Sequence, residues 1–256
     1  MIVLNDILGY RDRKIYQDSD CFSFSLDSVM LANFATIRLR DKLIADLGCG
    51  NGVIPLILSL RTDKNIIGIE IQEKLANMAK DSVNLNGLSE QINIINMNMK
   101  DFVNTDYFES FDLITCNPPY FKVNDKNFFN DSYEKMVARH ELEINLSDLL
   151  VVANKLLKNN GNFAIVHRPE RLMEILLEFK KNHIEPKRIQ FVYEKIDKGS
   201  TLVLVEGQKN GKTGLQIENP IIMFNNDESM TDYYASLQVE VRKWIKKVMT
   251  TVQVYI

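Results

Sequence analysis

Cysteine is scarce in this sequence, which has only Cys21, Cys49 and Cys116 among its 256 residues. The three lie far apart, and no two of them form a Cys-x-x-Cys pair. A disulfide framework or a cysteine zinc site is therefore disfavoured. We expect no metal, and we expect a reducing compartment, the cytoplasm.

Long hydrophobic runs are also missing. The apolar stretches are short and interrupted, so none could span a bilayer as a helix. Asn5 and Asp6 follow the first four residues, which leaves no room for the apolar core of a signal peptide. The apolar fraction is nevertheless 45%, enough to build a folded core and to exclude wholesale disorder.

The sequence has no overall excess of positive charge, whereas proteins that bind the phosphate backbone of RNA are commonly basic. It contains 31 Lys and Arg against 34 Asp and Glu, a net charge of −3. Residues 155–212 alone hold twelve basic against seven acidic residues, a net of +5. This segment is either an anion-facing patch or a lysine-rich solvated surface, and the sequence favours neither.

The chain does contain a regular alternation of short β-branched runs and helical patterns. Strands are predicted at 43–46, 65–70, 92–97, 111–116, 163–167, 188–193 and 202–206, and helices at 53–60, 72–85, 147–158 and from Pro169 onward. Such alternation implies right-handed crossovers and a buried parallel sheet. The last two strands have no helix between them, so we expect a hairpin. The prediction is an α/β fold, a doubly wound, mostly parallel sheet with an antiparallel terminal hairpin.

Two flanking segments fall outside this alternation. We expect residues 1–40 to form an N-terminal cap of hairpin and helix, ahead of a main domain over residues 41–224. Residues 225–256 form the third predicted unit, a C-terminal helical extension with an amphipathic helix over 229–250.

A glycine-rich loop, Asp46-Leu47-Gly48-Cys49-Gly50-Asn51-Gly52, stands at a predicted strand-to-helix turn. Glycine suits such a loop because the backbone turns tightly there and a ligand can approach closely. Glu70 ends the next strand, where an acid can bind both hydroxyls of a ribose. The alternatives are a plain tight turn for the loop and a solvated strand end for Glu70.

The fourth predicted strand ends in a second motif, Asn117-Pro118-Pro119-Tyr120. The carboxyl ends of strands in open α/β sheets are where ligands bind. The Asn117 side-chain oxygen and the Pro118 carbonyl could each accept one N–H of an amino group, while Tyr120 offers a stacking face. This set suits methyl transfer to a conjugated amino nitrogen; the alternative is an Asn-Pro turn beside a core tyrosine.

Asp46, the short Gly-x-Gly-x-Gly spacing and Glu70 together resemble the S-adenosylmethionine site of the class I methyltransferases more than a nicotinamide site. The resemblance puts Asp46 near the methionine end of the cofactor, Glu70 at its ribose, and Asn98 where an acid usually meets its adenine. Asparagine there lacks the charge of that acid. The implied cofactor-binding residues are Asp46, Gly48, Gly50, Asn51, Glu70, Ile71, Asn98, Met99 and Asn117.

The Asn-Pro-Pro-Tyr motif is similar to that of amino-group methyltransferases. The blocks 17–34, 138–141 and 167–172 resemble those of bacterial enzymes that methylate N6 of the adenine beside the anticodon of a valine tRNA, and the resemblance spans roughly residues 10–224. It implies a tRNA partner, bound through its anticodon loop. The implied catalytic residues are Asn117, Pro118 and Tyr120, and the implied substrate-binding residues are Pro119, Tyr120, Phe121, Lys122, Arg139 and His140.

The segment 121–144 interleaves aromatic and basic residues, as a single-strand clamp would, although an ordinary surface loop is the alternative. Other functions also stay open: methylation of adenine N6 in DNA, methylation of glutamine N5 in a protein, and a non-catalytic nucleotide-binding or RNA-binding module. Only 45 residues precede Asp46, which disfavours the glutamine enzymes and their larger N-terminal domain. The oligomeric state is open, with a monomer slightly favoured.

Overall fold

The computed structural model describes residues 2–7, 10–18, 26–119, 145–227, 229–232 and 234, with all their side chains except those of residues 10–12. Its longer strands are β1 Ile2–Ile7, β2 Tyr10–Asp18, β3 Leu43–Leu47, β4 Asn65–Glu70, β5 Ile92–Asn96, β6 Phe111–Cys116, β7 Leu157–His167, β8 Ile184–Tyr193 and β9 Ser200–Lys209; β10 Gln216–Ile217 and β11 Ile221–Ile222 are short. Its α-helices are α1 Leu26–Phe34, α2 Val53–Leu58, α3 Glu73–Leu85, α4 Met99–Phe102, α5 Leu146–Leu156 and α6 Leu172–Lys181, and a 3-10 turn covers Pro169–Arg171.

Nine of these strands form one sheet in the order β10-β8-β9-β7-β6-β3-β4-β5, with β11 also paired to β8. The run from β7 through β6, β3 and β4 to β5 is parallel throughout. Strand β9 is antiparallel to both of its neighbours, β7 and β8. The predicted α/β sheet, mostly parallel with an antiparallel hairpin, is therefore confirmed.

Helices cover both faces of the sheet, because its central strands are apolar on both sides. One core holds the buried side chains of α1, α2 and α3, and the other holds those of α4, α5 and α6. The inner strands β3 and β4 consequently read as nearly continuous apolar runs, with Asp46 and Glu70 at or next to their ends.

The residues that precede β3 pack onto the core that contains α1, α2 and α3. Strands β1 and β2 form an antiparallel hairpin, and Ile7 and Ile15 of this hairpin are buried together with residues of α1 and α2. Strand β2 is tied to α3, since the Tyr16 N–H donates to the Ser82 hydroxyl at 3.0 Å. These contacts place the hairpin beside the loop that follows β3.

The helix predicted at 147–158 has different ends in the structure. Asn145, rather than the expected Ser147, caps it by accepting the Asp148 N–H at 2.8 Å, which satisfies one of the orphan donors of the first turn. The helix ends at Leu156, and β7 starts at Leu157 instead of Phe163. The extra strand residues are explained by a pairing of Phe111 with Leu157, next to a register shift in β6.

Two predicted features lie largely outside the described residues. They are the aromatic and basic segment 121–144, and the terminal helix 229–250, of which only residues 229–232 and 234 are described.

Candidate active site

Four neighbouring parallel strands end at one edge of the sheet. Strands β3, β4, β5 and β6 stop at Leu47, Glu70, Asn96 and Cys116, and their pairing keeps these ends level. The residues that follow each strand therefore meet at one site, which is where open α/β sheets bind ligands.

The loop after β3 adopts a backbone that favours glycine. Gly48, Gly50 and Gly52 have φ angles of 70°, 56° and 91°, in the left-handed region that other residues rarely occupy. The N–H groups of Gly48 and Cys49 both donate to the Ile69 carbonyl, at 2.8 and 3.0 Å. These bonds fix the loop against the end of β4.

The loop leaves room for a ligand at its first two glycines. A methyl group added at Gly50 would meet no other described atom within 4 Å, and one added at Gly48 would meet only the Met99 methyl, at 3.8 Å. A ligand can therefore lie directly against the backbone here, with Met99 beside it. This is a cradle that a side chain would partly fill.

Asp46 lies directly beneath the loop, and its carboxyl is fully buried. Burial raises its pKa to about 8, opposed by the Thr115 hydroxyl, which donates to Oδ1 at 2.7 Å, and reinforced by the charge of Glu70. The second oxygen, Oδ2, has no hydrogen-bond partner in the part of the chain that the structure describes. A buried, unsatisfied carboxyl oxygen is costly for the fold, and a cationic group bound next to it would relieve that cost.

Glu70 joins the glycine loop to the start of α3. Its carboxylate accepts the Gly50 N–H at 2.9 Å and the Gln72 N–H at 2.8 Å. Burial raises its pKa, and these two N–H groups partly offset that rise. Asn96 fixes the same turn, because its amide donates to the carbonyls of Glu70 and Ile71 at 2.8 and 2.9 Å. The carboxylate is thus held rigidly at the strand end.

Two further residues of the predicted cofactor-binding set, Asn98 and Asn51, also have side chains hydrogen-bonded to the protein backbone. Asn98 caps α4, with its side-chain oxygen accepting the Lys100 N–H at 2.9 Å. Asn51 is buried, and its amide donates to the Tyr16 carbonyl at 3.2 Å. Asn51 therefore ties the glycine loop to the N-terminal hairpin and offers a ligand its backbone.

The residues after β6 stand beside the glycine loop. Asn117 is partly exposed, Pro118 is buried and Pro119 is exposed. The Asn117 amide nitrogen donates to the Ser28 hydroxyl of α1 at 3.0 Å. The other predicted catalytic and substrate-binding residues, Tyr120, Phe121, Lys122, Arg139 and His140, lie outside the described residues.

His167 ends β7, the strand next to β6. Its Nδ1 accepts the Arg168 N–H at 2.7 Å. Burial and the positive charge of Arg171 lower its pKa to about 4, so the ring is neutral at pH 7. It therefore adds no positive charge to this edge of the sheet.

More than half of the cations of the basic segment 155–212 are paired with acidic side chains. At least seven of its twelve cations form ion pairs with acidic side chains, namely Lys158, Arg171, Lys180, Lys181, Arg188, Lys198 and Lys209. In two of these pairs one side chain is almost fully buried: Lys209 in its pair with Glu109, and Glu206 in its pair with Arg188. Three of these cations, Lys158, Arg188 and Lys209, pair with acids outside the segment, so its net charge of +5 overstates the positive charge that it offers to an anion.

Three hydrogen bonds of the site involve residues that sequence reasoning did not select, or selected for another role. Ser28, Asn96 and Tyr16 each bond to a loop of the site from a different element. Asn96 was within reach of prediction, because it is a polar residue at a strand end. The others depend on tertiary packing between distant segments, for which the sequence carries no local signal.

The described residues show neither a metal-binding cluster nor a membrane-spanning helix. They contain no group of three or more His, Cys, Asp and Glu side chains placed to hold a metal ion. They also contain no helix that is long and apolar enough to cross a membrane.

The family model of the methyltransferase small domain matches residues 16–187, about two thirds of the chain. A tRNA1(Val) (adenine(37)-N6)-methyltransferase of Flavobacterium psychrophilum is 26% identical over 208 residues, which cover 80% of this chain and 87% of that protein. The enzyme of the same name from Bacteroides thetaiotaomicron is 28% identical over 63% of this chain and 66% of its own length.

Among solved structures, the chain is similar to a predicted O-methyltransferase from Agrobacterium tumefaciens. The TM-score is 0.67 at 20% sequence identity, over 83% of this chain and 95% of the other. At that identity the likeness supports the fold alone.

Proposed function

This chain belongs to the methyltransferase small domain family, and from that premise we propose that it methylates the exocyclic N6 of an adenine in tRNA. The observation that carries the proposal is the position of Asn117 and Pro118, at the end of β6 and beside the glycine loop of Gly48 and Gly50. The site thus combines acceptors for an amino group with a cradle for a methyl donor.

The methyl donor is S-adenosylmethionine, which supplies an electrophilic methyl group on a sulfonium when it is bound. We propose that Asp46 faces its methionine end, where the unsatisfied Oδ2 would accept from the ammonium group. Gly48 and Gly50 would lie against it, and Glu70 would bind its ribose hydroxyls with the oxygen lone pairs that Gly50 and Gln72 leave open.

The adenine end of the donor would rest among the remaining residues of the predicted set. Met99 lies over Gly48, and Ile71 follows Glu70 in the turn that Asn96 fixes. Asn98 keeps one side-chain N–H₂ group and a second oxygen lone pair beyond its cap to Lys100. The lack of a carboxylate charge there predicts a moderate rather than a tight cofactor affinity.

The chain's own part in the transfer is to position and polarise the target nitrogen. Its lone pair is delocalised into the adenine ring, which makes it a poor nucleophile. The Asn117 side-chain oxygen and the Pro118 carbonyl would each accept one N–H, which favours a tetrahedral nitrogen whose lone pair points at the methyl group. With the nitrogen held in this way, the methyl group would pass to it as the sulfonium leaves as a neutral thioether, and the amine proton would be lost to solvent afterwards, so no strong general base would be required.

The names of the two curated relatives favour tRNA as the polymer, and adenine 37, beside the anticodon, as the base. A base in a loop is more easily splayed out and stacked on an aromatic ring than one in a stem. We propose that Tyr120 is that ring, and that Pro119, Phe121, Lys122, Arg139 and His140 contact the anticodon loop. A tRNA substrate fits the predicted cytoplasmic location, and the proposed methyl transfer uses no metal ion. We propose a monomer as the working form.

The test uses methyl-labelled S-adenosylmethionine with three acceptors side by side: unmodified total tRNA, duplex DNA and a bacterial protein extract. Nucleoside digestion and mass spectrometry of the tRNA should find the label in N6-methyladenosine. Label that appears instead in DNA or in glutamine would reject tRNA as the substrate. RNA binding without any measurable cofactor binding would favour a non-catalytic module.

A further inference from the structure

Ser28 is a polar residue of α1 that reaches the proposed reaction centre from a separate part of the chain. Its hydroxyl oxygen accepts the Asn117 amide N–H at 3.0 Å, across 89 positions of sequence. We infer that Ser28 is a positioning residue, which sets the orientation of the Asn117 carboxamide for methyl transfer. The inference rests on the proposed function, because it assigns Ser28 a role at the same site.

Both partners stand on rigid elements. Helix α1 carries Ser28 on its partly exposed side, and buries Val29, Met30, Leu31, Ala32 and Phe34 in the core that it shares with α2 and α3. Asn117 follows directly on β6, an inner strand paired to β3 on one side and to β7 on the other. The hydrogen bond therefore joins two elements whose neighbouring residues are packed in the core.

The orientation matters because the two faces of a carboxamide are chemically opposite. Because the Asn117 nitrogen donates to Ser28, the N–H₂ side of the planar carboxamide faces α1, and the oxygen on its other side is the group that can act as an acceptor. Rotated by half a turn, the same side chain would offer N–H₂ to the substrate N–H₂, two donors that cannot bond. Donation to Ser28 also polarises the amide, which strengthens the oxygen as an acceptor.

Loss of this hydrogen bond should affect the chemical step more than binding. Without the hydroxyl, the Asn117 carboxamide loses one of the contacts that orient it, and small misplacements in an active site cost large factors in rate. We therefore expect kcat of Ser28→Ala to fall about 5- to 50-fold. The KM for tRNA and the dissociation constant for S-adenosylmethionine should change by less than about threefold, because Ser28 itself need not touch either.

The experiment compares Ser28→Ala, Ser28→Thr and the matched control Ser59→Ala by steady-state kinetics on unmodified tRNA. Ser59 is a buried serine whose hydroxyl donates to the Leu56 carbonyl of α2, away from Asn117. Threonine keeps the hydroxyl and should restore kcat to within about threefold of the wild type, while Ser59→Ala should leave kcat unchanged. Equal kcat for Ser28→Ala and wild type would overturn the inference.

A double variant separates positioning from a general loss of structure. In the Asn117→Ala background, Ser28→Ala should cause no further loss of kcat, because there is no carboxamide left to orient. An additional loss in that background, equal to the loss in the wild type, would mean that Ser28 acts independently of Asn117, and it would overturn the inference.

A readout without activity keeps this inference distinct from the proposed function. In ¹⁵N-labelled protein, the Asn117 side-chain amide signal, assigned by its absence in Asn117→Asp, should shift in Ser28→Ala and stay near its place in Ser28→Thr. An unchanged signal in Ser28→Ala would contradict the contact itself. A wild-type protein that methylates no adenine would refute the proposed function, whereas the amide signal would still decide on the contact.

Discussion

Replacing Asp46 with asparagine should make the cofactor-free protein less sensitive to pH. The carboxyl of Asp46 is fully buried, and burial raises its pKa from 3.8 to about 8. Between these two values the folded protein holds a proton that the unfolded chain has released, so the free energy of unfolding falls as pH rises. The asparagine side chain cannot titrate, so the Asp46→Asn variant should lose this pH dependence and keep the acceptor for Thr115.

The magnitude follows from linkage. Each pH unit within that interval costs the fold about 1.4 kcal/mol. From pH 5 to pH 7 the free energy of unfolding of Asp46→Asn should therefore gain about 3 kcal/mol on the wild type. The difference should level off above pH 8, where the buried carboxyl is ionised in the folded protein as well.

Urea unfolding at pH 5, 6, 7 and 8 measures both proteins, and Asp112→Asn supplies a control of opposite sign. Burial alone would raise the pKa of Asp112, but the Lys42 N–H, the Lys158 ammonium and the Leu43 N–H lower it. That control should be less stable than the wild type by a constant amount from pH 5 to pH 8, because the stability that the lowered pKa of Asp112 contributes is lost only below pH 3.8. Parallel stability curves for wild type and Asp46→Asn would refute the assignment of a protonated Asp46.

Three further substitutions test other parts of the account. Asn117→Ala should lower kcat on tRNA at least tenfold with the thermal unfolding curve preserved, because it removes one acceptor for the target amine; normal turnover would reject that role. Glu70→Gln should weaken S-adenosylmethionine binding about 10- to 100-fold by calorimetry, since an amide cannot accept from both Gly50 and ribose hydroxyls as a carboxylate does; unchanged affinity would argue against the ribose contact. Lys209→Met should lower the free energy of unfolding, measured with urea, by about 2–4 kcal/mol, because the Asn154 and Leu157 carbonyls lose the donor that lies 2.8 and 2.9 Å from them. A loss below about 0.5 kcal/mol, which is less than one net hydrogen bond contributes, would contradict this role.

The sheet and the edge that carries the site could be predicted because their signals are local. The parallel strands each contain a short run rich in apolar residues, and a polar residue at or just after the strand end, such as Glu70 or Asn117, marks the carboxyl edge. Parallel pairing then brings these ends together without further information. The family was likewise predictable from the glycine loop and the Asn-Pro-Pro-Tyr motif, and the match to the methyltransferase small domain confirms it.

The misplaced boundaries and the missed contacts share a physical cause. Residues 158–160 are polar and mostly exposed, so no period in the sequence predicts that they continue a strand; Leu157 pairs with Phe111, which the chain reaches 46 positions earlier. Ser28 bonds to Asn117 across 89 positions. The charge of the segment 155–212 was likewise ambiguous, since the sequence does not show which cations are neutralised by ion pairs such as that of Lys209 with Glu109.

Two transcripts of a valine tRNA test the central claim most directly, one unaltered and one with guanosine in place of the adenine beside the anticodon. Each is incubated with methyl-labelled S-adenosylmethionine and purified protein, then digested to nucleosides for mass spectrometry. We predict N6-methyladenosine from the unaltered transcript alone. Equal label in both transcripts would place the methyl group elsewhere, and absence of label from both would contradict the claim that this site methylates that tRNA.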